Sequence, residues 1–168
     1  SNNLYLKEEI QVILDGGYLG DFDDGEVLNQ GTNMQDILTR LLQRRVLPTE
    51  IAPEVVATFT INTESSLPEF GELVDYSISY EYRANDGGDL IDYTIRKDGA
   101  IQGSFESSGT YFGSAQLADV PVTLACEARY DMLLADPEDN LGNKYPDMRI
   151  PAGTSVATTA ITPVRASF

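Results

Sequence analysis

The chain has 168 residues, with 27 Asp and Glu against 11 Lys and Arg, no histidine, no tryptophan and one cysteine; its formal charge is −16 at pH 7 and its pI lies near 4.1. A chain of this length can hold one domain with an extra element and bury a core without metal or disulfide support. The acidity disfavours nucleic acid and anionic membrane surfaces, the missing histidine closes imidazole-based triads and Cys/His zinc sites, and Cys126 alone allows no internal disulfide.

Residues 1–4 lack the basic and apolar regions of a secretory leader, so either the chain does not take that route or a leader has been removed. Leu4, Leu6, Ile10, Val12 and Leu14 alternate imperfectly, which predicts one or two short strands. Residues 16–25 form a glycine- and aspartate-rich loop. A helix then opens near Thr32, an N-cap candidate with Gln35 three residues on as in a capping box. Met34, Ile37, Leu38, Leu41 and Leu42 make one apolar stripe, Arg40, Arg44 and Arg45 suit a helix C-terminus, and Pro48 is expected to stop it.

From Pro53 onward the pattern is β. Residues 55–61 place Ala57, Phe59 and Ile61 on one face, and residues 73–82 alternate strictly, with Tyr76, Ile78, Tyr80 and Tyr82 opposite Asp75, Ser77, Ser79 and Glu81. Asn85-Asp86-Gly87-Gly88 supplies a turn, and Ile91, Tyr93 and Ile95 alternate against Asp92, Thr94 and Arg96. A Lys97-Asp98-Gly99 turn leads to a strand over 100–105, and Ser107-Ser108-Gly109 reads as a loop leading to Tyr111 and Phe112. Residues 121–130 form a further alternating strand, 136–146 a polar excursion, and 156–164 a final strand. About seven short strands at this spacing predict a mainly β fold: an antiparallel β-sandwich over residues 51–168, preceded by a strand–loop–helix element over residues 1–50.

Two kinds of site residue stand out. Asp21, Asp23 and Asp24, and separately Asp136, Glu138 and Asp139, cluster hard oxygen donors on loops, which suits calcium, although neither run matches an EF-hand; the plainer reading is solvated turns, with no cofactor. Met34, Ile37, Leu38 and Leu41 on the helix, with the loop aromatics Tyr18 and Tyr111, are candidates for docking on a partner, against the plainer reading of core and local packing. Cys126, in phase with Val122 and Leu124, reads as a buried hydrophobe. No nucleophile–base pair, phosphate-cradling loop or singled-out carboxylate pair is present, so the expectation is a non-enzyme.

Three features in order carry a resemblance: residues 31–38 (GTNMQDIL) after an N-terminal strand and Gly-Asp-rich loop, residues 85–88 (NDGG) followed by 93–99 (YTIRKDG), and residues 140–142 (NLG) followed by 149–154 (RIPAGT) and a last strand. The layout resembles an Ig-like module of virion structural proteins of tailed bacteriophages, in tail fibre, neck or head-fibre-like polypeptides. In such relatives the last strand often runs into an aromatic-rich tail, whereas this chain stops at residues 167–168, as a truncated form, a fragment or a short relative would. The resemblance implies a structural virion component, made in the host cytoplasm and acting in assembly or host attachment. Its partners would be other virion proteins, copies of itself or a host surface receptor, with no nucleic acid and no membrane insertion. The alternatives are a carbohydrate-binding or adhesin sandwich and a subunit of an extracellular filament or surface layer.

Overall fold

The computed structural model describes residues 4–63 and 67–165; the chain start and the end at 167–168 discussed above lie outside them. It divides into two compact units, Ser1–Pro48 with Asp136–Met148, and Thr49–Ala135 with Arg149–Phe168. A sequence division at 50/51 keeps residues 136–148 with the sandwich. In the structure they pack instead with the N-terminal segment.

In the first unit, residues 4–14 run antiparallel to residues 25–34. The pairing centres on β1 (Ile10–Gln11) and β2 (Val27–Leu28) and extends through Leu6 N to Thr32 O and Met34 N to Leu4 O. Helix α1 spans Met34–Leu42. Asn33 is its N-cap: the Asn33 Oδ1 accepts from Gln35 N at 2.8 Å, while the Thr32 hydroxyl turns back to Asn29 O. The expected cap is therefore displaced by one residue, because Asn is at least as good a cap as Thr and stands where its oxygen reaches the second helical N–H. The helix also ends well before Pro48. Gln43 takes extended backbone angles, and Gly20 explains the local fit: its φ of 54° and its contact with the Arg40 carbonyl leave no room for a Cβ. The core of this unit is small, Phe22, Leu28 and Ile37, with Leu6, Val12 and Met34 packed around it.

The second unit is a β-sandwich. β3 (Glu54–Asn62), β4 (Leu73–Arg83) and β7 (Gly109–Gln116) form a three-stranded sheet in the order β3-β4-β7. β5 (Leu90–Lys97), β6 (Ala100–Phe105), β8 (Val122–Tyr130) and β9 (Gly153–Ile161) form a four-stranded sheet in the order β6-β5-β8-β9, and every strand pair is antiparallel. Consecutive strands change sheet between β4 and β5, between β6 and β7, and between β7 and β8, a Greek-key wiring. The core takes Val55, Val74, Tyr76, Ile78, Tyr80, Ala115 and Leu117 from one side and Tyr93, Ile95, Val122, Leu124, Cys126, Ala128 and Ile161 from the other. The expected alternation of β3, β4 and β8 is thus what builds the interior.

Two expectations need correction here. Residues 109–116, read as a loop followed by isolated aromatics, are strand β7, so Tyr111 and Phe112 are strand residues. Ile91 does not share the core face with Tyr93 and Ile95. A bulge between Leu90 and Asp92 in the β5–β8 register inserts one residue, so Leu90 packs on the core and Ile91 points to solvent. The turn at 85–88 does more than reverse the chain: Asp86 Oδ2 accepts from the Thr49 hydroxyl and from Ile51 N at 2.7 Å each, and Asn85 Nδ2 donates to Ala52 O. It clamps the segment that leads into β3.

Candidate docking surfaces and the acidic loops

Most of the candidate acidic residues are engaged by the protein itself. Asp21 pairs with the Arg40 Nε, and Glu26 meets the same guanidinium at 2.8 Å. The hydrogen bond from Arg40 comes first among the influences that hold the Glu26 carboxyl below its ordinary range, and the two acids together raise the Arg40 pKa. Arg40 therefore ties the loop at 21–26 to α1, and its guanidinium lies 4.2 Å from the centre of the Phe22 ring. Asp24 accepts from Leu14 N at 2.9 Å, and Asp23 extends into solvent 3.8 Å from the Arg45 guanidinium.

The second acidic loop is organised around Asp139, whose side chain is fully buried. Its carboxylate accepts from Leu141 N, Asn143 N, the Asn143 amide and the Tyr145 hydroxyl, at 2.7–2.9 Å. Burial pushes its pKa up, but the hydrogen bonds from Asn143, Tyr145 and the two backbone N–H groups outweigh that and hold the carboxyl well below the ordinary Asp range. The buried Arg45 side chain, 7% exposed, lies with Nε 3.6 Å from the same carboxylate, and its guanidinium is 5.1 Å from the centre of the Tyr18 ring. The neighbouring Asn140 side chain accepts from Val46 N and donates to Arg44 O. Residues 136–148 are thus laced to residues 44–46. Glu138 pairs with Lys144 at 3.9 Å, and Asp136 is engaged as well.

The two acidic loops do not gather their donors as a calcium site requires. Among the described residues no three acidic or cysteine side chains converge as a metal site requires. Calcium takes six to eight oxygens, roughly, and the Asp139 oxygens already serve four donors and face a guanidinium. Asp21, Asp23 and Asp24 point to different partners.

The docking candidates separate. Ile37 is buried and Met34 packs against the same small core, so neither is free to meet a partner. Tyr111 is packed between Tyr76 and Phe105, with ring centres 6.2 and 6.1 Å away, at the sandwich rim. Tyr18 is exposed beneath Arg45. Leu38 and Leu41 are exposed, and Leu42, part of the same stripe, is 85% exposed. Residues three and four apart share one side of a helix, so Leu38, Leu41 and Leu42 form one apolar patch.

A hollow of about 320 Å³ on the outer face of the three-stranded sheet is lined by Val56, Thr58, Ser79, Glu81 and Thr110. Among the described residues it holds one carboxylate and no second acid, so the paired-acid chemistry of glycoside hydrolysis finds no partner among them there. No helix among the described residues is long and apolar enough to cross a membrane. No protein family, curated protein or solved structure matches the chain.

Proposed function

We propose that this chain is a non-enzymatic structural component of a bacteriophage virion, a fibre, neck or decoration protein in which the N-terminal unit docks on a neighbouring subunit and the sandwich presents or spaces surfaces. The observation that carries the docking half is the exposed Leu38, Leu41 and Leu42 side of α1, on a unit whose core, among the described residues, is built on three buried apolar side chains. The module half is supported by the resemblance at residues 31–38, 85–88 with 93–99, and 140–142 with 149–154, and by a strand order that an Ig-like sandwich would have with its middle edge strand on the four-stranded sheet. The polar chemistry fits a scaffold, since the buried Asp139 carboxylate is spent on hydrogen bonds within its own loop.

The test is assembly. The purified chain should bind particles or isolated virion proteins, and Leu38→Asp with Leu42→Asp should abolish that binding while leaving the circular dichroism spectrum unchanged. Binding that survives both substitutions removes α1 as the docking element. A chain that binds no virion component at any concentration overturns the reading as a whole.

A further inference from the structure

The edge of β7 has the makings of a self-pairing strand. β7 pairs with β4 in unbroken register, from Leu73↔Gln116 to Tyr80↔Gly109, and among the described residues no strand lies on its other side. Just past the strand end, Leu117 N donates to Glu72 O and Gly71 N donates to Leu117 O, which fixes the odd-numbered backbone groups toward β4. In an antiparallel ladder a residue's N–H and C=O point the same way and alternate along the strand. The N–H and C=O groups of Thr110, Phe112, Ser114 and Gln116 therefore face the open edge. Lys97 Nζ, 3.0 Å from Ser114 O, covers one of them.

The remaining edges are protected. β6 carries a bulge where Gly103 and Ile101 pair with the successive residues Ile95 and Arg96. β3 and β9 lie against each other, with Val55 N donating to Ser155 Oγ. Bulges and covering elements are the ordinary ways of blunting an edge, whereas β7 has a single lysine.

Charge decides the occupant. A chain at −16 repels its own copies except through neutral surface. Residues 107–118 contain no charged side chain, and Phe112 at their centre is 76% exposed. We infer that β7 pairs antiparallel with β7 of a second copy about a two-fold axis at Phe112, merging the two three-stranded sheets. In this register Phe112 faces its own copy, and Thr110 faces Ser114 of the other. Two exposed rings become a cross-strand aromatic pair, and the open N–H and C=O groups are satisfied. The inference goes beyond the virion reading and uses a different surface from α1, so the two fail separately.

The experiment is the mass of the full chain in solution across concentration. The expected result is a shift from 18.4 kDa toward twice that value, strengthened by salt, which screens the repulsion. Phe112→Glu sets like charges across the axis and should weaken the dimer about tenfold or more. Ser114→Pro removes an edge N–H without touching the β4 ladder and should act in the same direction, with unchanged melting. Lys97→Ala should tighten the dimer. Phe112→Cys reads the register, because directly opposed residues of a hydrogen-bonded pair sit about 5.5 Å apart at Cα, a distance a disulfide spans. Thr110→Cys lies roughly 14 Å from its own copy and should not cross-link. A chain that stays monomeric at high concentration and high salt, a dimer that survives both Phe112→Glu and Ser114→Pro, or cross-linking at 110 in place of 112 overturns the inference.

Discussion

A carboxylate that accepts from a tyrosine hydroxyl, an amide and two backbone N–H groups holds its loop together only while it is ionised, and Asp139 is in that position. Its folded pKa is depressed below the unfolded value of about 3.9. The linked stability is therefore fully present above that unfolded value and is lost as pH falls through the folded one. Melting followed by circular dichroism should be insensitive to this group from about pH 7 down to about pH 5 and lose stability only in stronger acid. Asp139→Asn should lower the melting temperature at neutral pH and flatten that acid limb; an unchanged acid limb would show that Asp139 does not govern it. Cys126 gives a second test at this scale. Burial pushes its thiol up to about 11, with the Glu127 charge adding to the effect. Since the thiolate is the reactive form, the native protein should resist a thiol reagent at neutral pH and react fully only once unfolded. Rapid labelling under native conditions would contradict the buried placement.

Among the elements, two glycines with opposite surroundings test how the turns are built. A Cβ on Gly88 would overlap the Asp131 carbonyl and the Met132 backbone, and neither can move without shifting the chain after β8. Gly88→Ala should cost about 2 kcal/mol or more, roughly 10 °C of melting temperature for a unit of this size. Gly99, at φ 82°, meets nothing within 4 Å; Gly99→Asn should cost no more than about 1 kcal/mol, since Asn tolerates this region. Equal losses at the two positions would reject the clash argument. The same contrast explains what could be read from sequence. β4 was legible because its strict alternation coincides with burial of Tyr76, Ile78 and Tyr80. β7 was not, because Gly109 and Gly113 look like breakers; only the fold shows the Tyr76 ring occupying the space beside Gly113. The Ile91 bulge adds a residue without a local signal. The lacing of Asn140 to Arg44 and Val46 joins positions more than ninety residues apart, which no local pattern encodes. The helix stripe was visible, but the separation of Ile37 from Leu38, Leu41 and Leu42 into buried and exposed groups depends on what packs against each side.

For the whole molecule, charge and apolar surface act in opposition, and salt separates them. The net charge of −16 raises the cost of bringing copies together, while exposed leucines on α1 and the uncharged side chains of β7 favour association. Screening shortens the reach of the repulsion from about 10 Å at 0.1 M salt to about 3 Å at 1 M, and leaves the hydrophobic term in place. Sedimentation at rising salt should therefore show tighter self-association in the parent chain. The variants apportion it. Leu38→Asp with Leu42→Asp should remove the proposed attachment through α1 and leave the pair formed through β7, whereas Phe112→Glu should remove the pair and leave that attachment. If one set of substitutions abolishes both, the two surfaces act as a single interface and the division of labour between the helix and the sheet edge is wrong. If salt loosens association instead, charge pairing rather than apolar contact holds the copies together, and neither surface is its source.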